Sequence, residues 1–404
     1  MTEPLWQWDE LVAAARARVE GAVEAAVTGF SIDTRTLQGG DVFVALKAAR
    51  DGHDFVPAAF AAGAAAALVS HTYARGKHDG ALLRVADPLA ALGAIGAAAR
   101  TRSSAKIVAV TGSAGKTGTK EMLRLCLSDA GATHASEKSY NNHWGVPLTL
   151  ARMPRSTAFG VFEIGMNHAG EIAPLTQLVR PHAAVVTTVE PVHLEYFPSV
   201  EAIAEAKAEI FQGLVPGGTA VLPYDNPHFA LLKARASAAG ARTLSFGYAE
   251  AADVRCIQAN MDARGSSVIA GVGSQRFPYR VGAPGEHYVK NSLAVLAALQ
   301  ALGADPMRCL PALVKTAAPA GRGARTTLPV EGGRILLIDE SYNANPASVR
   351  AALAAMATVP RSDFPRRVAV LGDMLELGQA AASLHRGLKE AIDAAGIDLV
   401  FACG

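Results

Sequence analysis

The stretch "VTGSAGKTGTKEML", residues 110–123, holds the residues with the plainest chemistry. Gly112, Ser113, Ala114 and Gly115 form a short turn whose glycines let backbone N–H groups and the positive end of a following helix converge on one anion. Lys116 brings an ammonium that can reach the β- and γ-phosphates of a nucleotide, and Thr117 a hydroxyl that can ligate Mg²⁺. The usual phosphate loop has a glycine five residues before Gly115, where this chain has Val110. A glycine turn opening an ordinary helix is the bland alternative. Strand, Gly-Lys-Thr and helix in that order favour nucleotide binding.

Five other residues could join that chemistry. Glu163 in "FGVFEIG" ends an apolar run and is a candidate Mg²⁺ ligand, or else a helix-capping or solvated carboxylate. Lys207 in "AIAEAKAEIFQGL" shares a helical face with Ile203, Ile210 and Phe211, while Glu205 and Glu209 point elsewhere. It is either a lysine snorkelling at a helix edge or one desolvated enough to react with CO₂ and become an anionic metal ligand. His193 in "VEPVHLEYF" follows an apolar run at the end where α/β sheets bind ligands; a lone histidine there is more often structural. Asp339-Glu340 after "RILLI" imitates the metal-binding strand of a hydrolysing ATPase, but lies beyond a Gly/Pro-rich boundary.

The elements that must position these residues are legible as apolar runs. From Lys106 onward "KIVAVT", "FGVFEIG", "AAVVTTV" and "GTAVLP" alternate with helical stretches, and their continuous apolarity predicts a mostly parallel sheet covered on both faces. Residues 243–281 read as β-rich, and "YVKNSLAVLAALQALG" as a helix. Before Lys106, "DVFVAL", "AALVS" and "ALLRVA" mix with alanine-rich helices; "RTRSSAK" is a polar connection. After the boundary "KTAAPAGRGARTTLP" come "RILLID", a helix from Pro346, "RVAVLG", another helix and "DLVFACG". The prediction is a three-domain α/β protein: 1–103, 104–316 with a P-loop-type mostly parallel sheet, and a Rossmann-like 317–404 that reads as incomplete, ending on its third strand.

Composition narrows the partners. Lys plus Arg number 38 against 36 acids, a net charge of +2, so no electrostatic footprint for nucleic acid exists. Cys126, Cys256, Cys309 and Cys403 are far apart in sequence, which argues against structural zinc or a disulfide framework and for a reducing compartment. The start, "MTEPLWQWDE", has acids where a signal peptide has basic residues. No apolar stretch approaches the ~20 residues of a membrane span. The expectation is a cytoplasmic protein.

Taken together, these residues resemble the Mur ligases, ATP-dependent amide-bond-forming enzymes of peptidoglycan synthesis. Their loop has the form T-G-S-x-G-K-T, matched by Thr111–Thr117, which accounts for the displaced glycine. "EIGMNHAGEI" (163–172), "NNHWGVPLTL" (141–150), "HLEYF" (193–197), "GDMLELG" (372–378) and above all "DESYNANP" (339–346) carry the rest of the likeness. The resemblance implies joining of D-alanyl-D-alanine to a UDP-N-acetylmuramoyl-tripeptide, with ATP and two Mg²⁺ ions, by a monomer. It implies that Gly112–Thr117 hold the phosphates, with Lys116 catalytic, and that Thr117, Glu163, His193 and carbamylated Lys207 hold metal. Asn291 matches a position contacting adenine, and Arg322 and Asp339 match residues that reach the nucleotide when domains close. Ser31, Asp33, Thr34, Arg35, Asp51, His53, Asn141, Asn142, Tyr342 and Asn343 fall at substrate positions. Asn345-Pro346 also has a local reading, as N-cap and first-turn proline of the next helix. A folylpolyglutamate synthetase-like ligase, which should not carry "SYNANP", and a P-loop hydrolase using Asp339-Glu340, which would turn over ATP without an acceptor, are the alternatives.

Overall fold

The structure is a computed structural model describing residues 4–22, 26–137, 139–192, 194–262 and 264–404. Among the described residues the strands form four sheets. The first contains β1 (Arg18–Glu20), β2 (Gly29–Ser31), β3 (Asp41–Val44), β4 (Ala66–Ser70) and β5 (Ala81–Val85), in the order β1-β5-β4-β3-β2. Its pairings are parallel except β1 with β5. Both faces are covered, as a two-residue period requires. Val42, Val44, Ala66 and Leu68 face one core, Phe43, Ala67 and Val69 the other.

The second sheet positions the chemistry. It runs through β6 (Lys106–Thr111), β7 (Thr133–Ala135), β8 (Phe159–Glu163), β9 (Ala183–Val186), β10 (Thr219–Pro223), β11 (Arg242–Gly247), β12 (Val254–Asp262), β13 (Gly265–Val272) and β14 (Gln275–Val281). The order is β14-β13-β12-β11-β10-β9-β6-β8-β7. Pairings from β7 to β12 are parallel, and the β12-β13-β14 meander is antiparallel. Val108, Val110 and Val185 face a core that includes the helix Glu286–Leu302, whereas Ile107, Ala109 and Val186 face one that includes Ile203 and Phe211. Strand order reverses at β6, with β8 on one side and β9 on the other. Ligands of open α/β sheets bind in the crevice at such a point.

The helix Gly145–Ala151 belongs to two cores. Val146 and Leu150 pack in the central one, Leu148 and Ala151 beside Trp6 and Phe30 under the first sheet.

Beyond residue 317 the arrangement departs from the sequence reading. The "RILLID" strand, β16 (Gly333–Asp339), pairs antiparallel with β15 (Ala324–Val330), which lies in the stretch read as a boundary. Pro329 and the neighbouring glycines masked β15, although Thr326 and Thr327 favour a strand. β17 (Val368–Leu371) and β18 (Leu399–Ala402) pair parallel in a separate two-stranded sheet. No described helix is long and apolar enough to cross a membrane.

Candidate active site

The phosphate loop leaves β6 at Thr111 and enters the helix Lys116–Ala130 through Gly115, its N-cap, at φ +81°. Two glycines are required there for different reasons. A Cβ on Gly112 would stand 1.9 Å from Thr187 Oγ1, and one on Gly115 2.8 Å from Asn291 Oδ1. Both positions also have positive φ, which disfavours any side chain. The segment after β9 clamps the loop. Thr187 Oγ1 donates to the carbonyls of Thr111 and Ala114, Ser113 N donates to Thr188 O (2.9 Å), and Glu190 N donates to Ser113 Oγ (2.9 Å). The sequence reading missed Thr187 and Glu190; the available signal was their place just after a strand at the switch point.

Lys116 Nζ donates to Gly112 O at 2.7 Å, so the side chain folds back over its own loop. Burial holds its pKa below the ordinary lysine value; Glu163 opposes that shift and Arg322 adds to it. Thr117 Oγ1 donates to Glu163 Oε2 at 2.9 Å, and Asn141 Nδ2 donates to Glu163 Oε1 at 2.8 Å. Glu163 is fully buried at the end of β8. A hydroxyl and a carboxylate side by side at the loop fit Mg²⁺, a hard cation that takes one or two protein oxygens and fills its remaining positions from water and phosphate. Among the described residues no group of three or more His, Cys, Asp or Glu could hold a metal.

Lys207, near the end of the helix Val200–Ala208, is only 2% exposed. That excludes snorkelling. Its neighbours Glu205 and Glu209 are occupied elsewhere, the first with Arg235 and the second capping the N–H groups of Gly170 and Ala173. Burial, with the charge of Lys116 second, drives its pKa well below the lysine value. Its surroundings thus disfavour the ammonium form. His193 lies outside the described residues.

Asn291 is buried against the loop at Gly115 and Gly118. Asn142, expected at the substrate, accepts from Gly145 N at 2.9 Å and starts the helix Gly145–Ala151. In the first sheet, Ser31 Oγ donates to Asp33 O, and Asp33 pairs with the exposed Arg35 (2.6 Å), next to Thr34. Both ring nitrogens of His53 are engaged: Nδ1 with Asp51 at 2.6 Å, Nε2 accepting from Ser70 N at 2.9 Å. This ring therefore orients the Asp51 loop, and the partnership with His53 brings the Asp51 carboxyl down to about 2.

Two C-terminal loops meet near the phosphate loop. Gly323 N donates to Asp339 O (2.8 Å), Tyr342 N donates to Gly321 O (3.0 Å), and the Arg322 guanidinium lies 4.1 Å from the Tyr342 ring centre. Ser341 N donates to the Asp339 carboxylate, and Asn343 Oδ1 accepts from Ala344 N. Asn345 caps the helix Pro346–Ala357 in a reciprocal capping box with Ser348, the local role expected of it.

A phosphate-gripping loop at the switch point of a parallel sheet, with a hydroxyl–carboxylate pair beside it, defines a nucleotide-binding α/β enzyme. Residues 110–299 match the Mur ligase middle domain and residues 325–404 the Mur ligase glutamate ligase domain. The chain belongs to the Mur ligase family. It is 37% identical over 376 residues to the UDP-N-acetylmuramoyl-tripeptide--D-alanyl-D-alanine ligase of Escherichia coli, covering 92% of this chain and 80% of that one. A crystal structure of MurF from Acinetobacter baumannii superposes with a TM-score of 0.85 at 30% identity, covering 100% of this chain and 86% of that one. MurF ligase from Thermotoga maritima, solved in complex with ADP, has a TM-score of 0.76 at 27% identity, covering 93% and 83%.

Proposed function

We propose that this chain joins D-alanyl-D-alanine to the terminal carboxylate of UDP-N-acetylmuramoyl-tripeptide, converting ATP to ADP and phosphate, in the cytoplasm where ATP is available. The observation that carries the reading is the likeness to the E. coli ligase of that name over 92% of this chain, with a phosphate loop and its carboxylate partner intact. In this reading residues 1–103 hold the UDP-sugar through the Ser31–Arg35 edge and Asp51, 104–316 hold ATP, and 317–404 close over it.

A carboxylate is a poor electrophile, so the tripeptide carboxylate first attacks the γ-phosphorus, forming an O–P bond while ADP leaves. The amine of D-alanyl-D-alanine then attacks the acyl carbon, and the C–O bond to phosphate breaks as the amide forms and the amine loses its proton. The first step brings two anions together. Lys116 and the N–H groups of the loop and helix start offset that repulsion. Mg²⁺ held by Thr117 and Glu163, and a second ion near Lys207 and His193, would supply further positive charge to the transferring phosphoryl group. Arg322 and Asp339, next to Tyr342 and Asn343, reach the nucleotide from the C-terminal loops and help exclude water that would hydrolyse the acyl phosphate.

Lys207 is carbamylated in this reading. Its neutral amine adds to CO₂, a C–N bond forms, one proton is lost, and the resulting anion answers the positive charge of Lys116. ¹³CO₂ labelling followed by NMR gives a carbamate resonance that is absent in Lys207→Ala, whose turnover short carboxylates restore. An unlabelled wild-type protein overturns the carbamate. For the reaction itself, phosphate release is measured from MgATP with the tripeptide nucleotide, with D-alanyl-D-alanine, and with both. Release that needs both, with a pentapeptide product by mass, is the expected result; release with neither makes the chain a hydrolase.

A further inference from the structure

Glu163 is gripped at both carboxylate oxygens, by partners of different origin. Thr117 belongs to the phosphate helix itself. Asn141, at the other oxygen, opens a segment whose far end is built into the first sheet's core. There Leu148 and Ala151 pack with Trp6 and Phe30, Trp6 Nε1 donates to Ala151 O at 2.8 Å, and Arg152 Nε donates to Phe30 O at 2.8 Å. Phe30 immediately precedes Ser31 on β2, the edge read as holding the UDP-sugar.

The segment between these ends has little freedom. Asn142 closes a turn onto Gly145 N, and a Cβ on Gly145 would stand 2.7 Å from the Tyr140 backbone. Gly165 N donates to Asn141 O at 2.9 Å, and a Cβ on Gly165 would lie 2.9 Å from the Asn141 amide carbon. All seven residues of the helix Gly145–Ala151 are buried. A displacement at the β2 edge therefore reaches Asn141 through packed backbone rather than through a loose loop.

We infer that Asn141 is a positioning residue for Glu163, and that through the Asn141–Arg152 segment it couples occupancy of the β2 edge to metal–nucleotide binding at the phosphate loop. This assigns Asn141 a role different from direct substrate contact. It rests on the reading of Glu163 as a metal ligand. Coupling of this kind is reciprocal and falls typically between about 5-fold and 150-fold in affinity.

The test uses the full chain, Mn²⁺ with ADP as the probe, and electron paramagnetic resonance to measure free and bound Mn²⁺, with and without UDP-N-acetylmuramoyl-tripeptide. In the wild type the tripeptide nucleotide tightens Mn²⁺ binding by about 10-fold. Asn141→Leu, which keeps the branching at Cγ and removes the donor, weakens Mn²⁺ binding and abolishes the tightening, while the tripeptide nucleotide still binds normally when Mn²⁺ and ADP are absent. Asn141→Ser, too short to reach Glu163, gives the same pattern and serves if the leucine variant does not fold. Glu163→Gln separates the two levels of the reading. If it leaves Mn²⁺ affinity intact, the assignment of Glu163 fails and takes the inference with it. If it weakens Mn²⁺ while both Asn141 variants retain affinity and coupling, the inference alone fails. Weakened binding of the tripeptide nucleotide to the Asn141 variants without metal would make Asn141 a substrate contact and overturn the proposal.

Discussion

At the carboxyl end of the central sheet, Glu163 is fully buried and held by Thr117 and Asn141, and the loop beside it is clamped by Thr187 and Glu190. In the C-terminal region Arg322, Tyr342 and Asn343, which we propose approach the same nucleotide site, stand on loops. Arg322 rests on Tyr342, which is 56% exposed, and the β15–β16 hairpin behind them leaves Ile335 about half exposed. The buried clusters differ accordingly: those flanking the central sheet run the length of its strands, while those around Leu353 and Met374 hold three buried residues each. The difference teaches where each contribution to the chemistry comes from. In the proposed mechanism, the groups that meet transferring charge are preorganised by packing, and the groups proposed to close the site sit where little packing resists motion.

The sharpest way to break this comparison is to remove charge from each side. Lys116→Ala is expected to lower kcat by at least about 10³-fold, as loss of a preorganised charge at a phosphoryl group does, while tripeptide-nucleotide binding by calorimetry stays unchanged. Gly112→Ala comes next. Its Cβ would collide with Thr187 Oγ1, so nucleotide affinity by equilibrium dialysis falls about 10²-fold, and adding Thr187→Ala restores part of it, the two sites being in contact. Arg322→Ala acts on the C-terminal side and is expected to lower kcat by about 10-fold in stopped-flow phosphate release, because in the proposed mechanism its group guards rather than bears the charge. A loss equal to that of Lys116→Ala would erase the distinction between the regions.

The smallest expected effect is one of pH. Burial raises Glu340 to about 7, against the pull of Arg322. A carboxyl whose folded pKa lies above its ordinary value favours the folded, protonated form. Its contribution is complete below the ordinary carboxylate range and is lost as pH rises through about 7. Thermal midpoints should therefore fall for the wild type as pH rises from the ordinary carboxylate range to about 7, level off above it, and show no such fall for Glu340→Gln. Identical slopes would place Glu340 in water.

The same contrast governs how much the sequence revealed. "KIVAVT" coincides with β6, and the runs at 159–163, 183–186 and 219–223 all lie in strands, because a parallel strand covered on both faces must be apolar throughout. Lys207 stood out for the same reason: a charge on an apolar helical face is visible against its surroundings. β15 was hidden because a hairpin open to solvent needs no apolar pattern, and β7, three half-buried residues, because it is too short to have one. The partner of Asn141 could not be read at all. Its contact with Glu163 spans 22 residues and depends on where a packed helix sets a turn, which periodicity does not encode. His53, which the family resemblance placed at the substrate, shows another contact that periodicity does not encode: its two ring nitrogens bond Asp51 and Ser70.

The central claim is that ATP activates the tripeptide carboxylate by phosphorylating it. It is tested most directly by labelling that carboxylate with ¹⁸O and running the complete reaction with D-alanyl-D-alanine. The account predicts that the phosphate released carries one ¹⁸O, because the carboxylate oxygen that attacked phosphorus leaves with it. Phosphate free of label would mean that water attacked the γ-phosphorus, and the account of this site as a ligase would be contradicted.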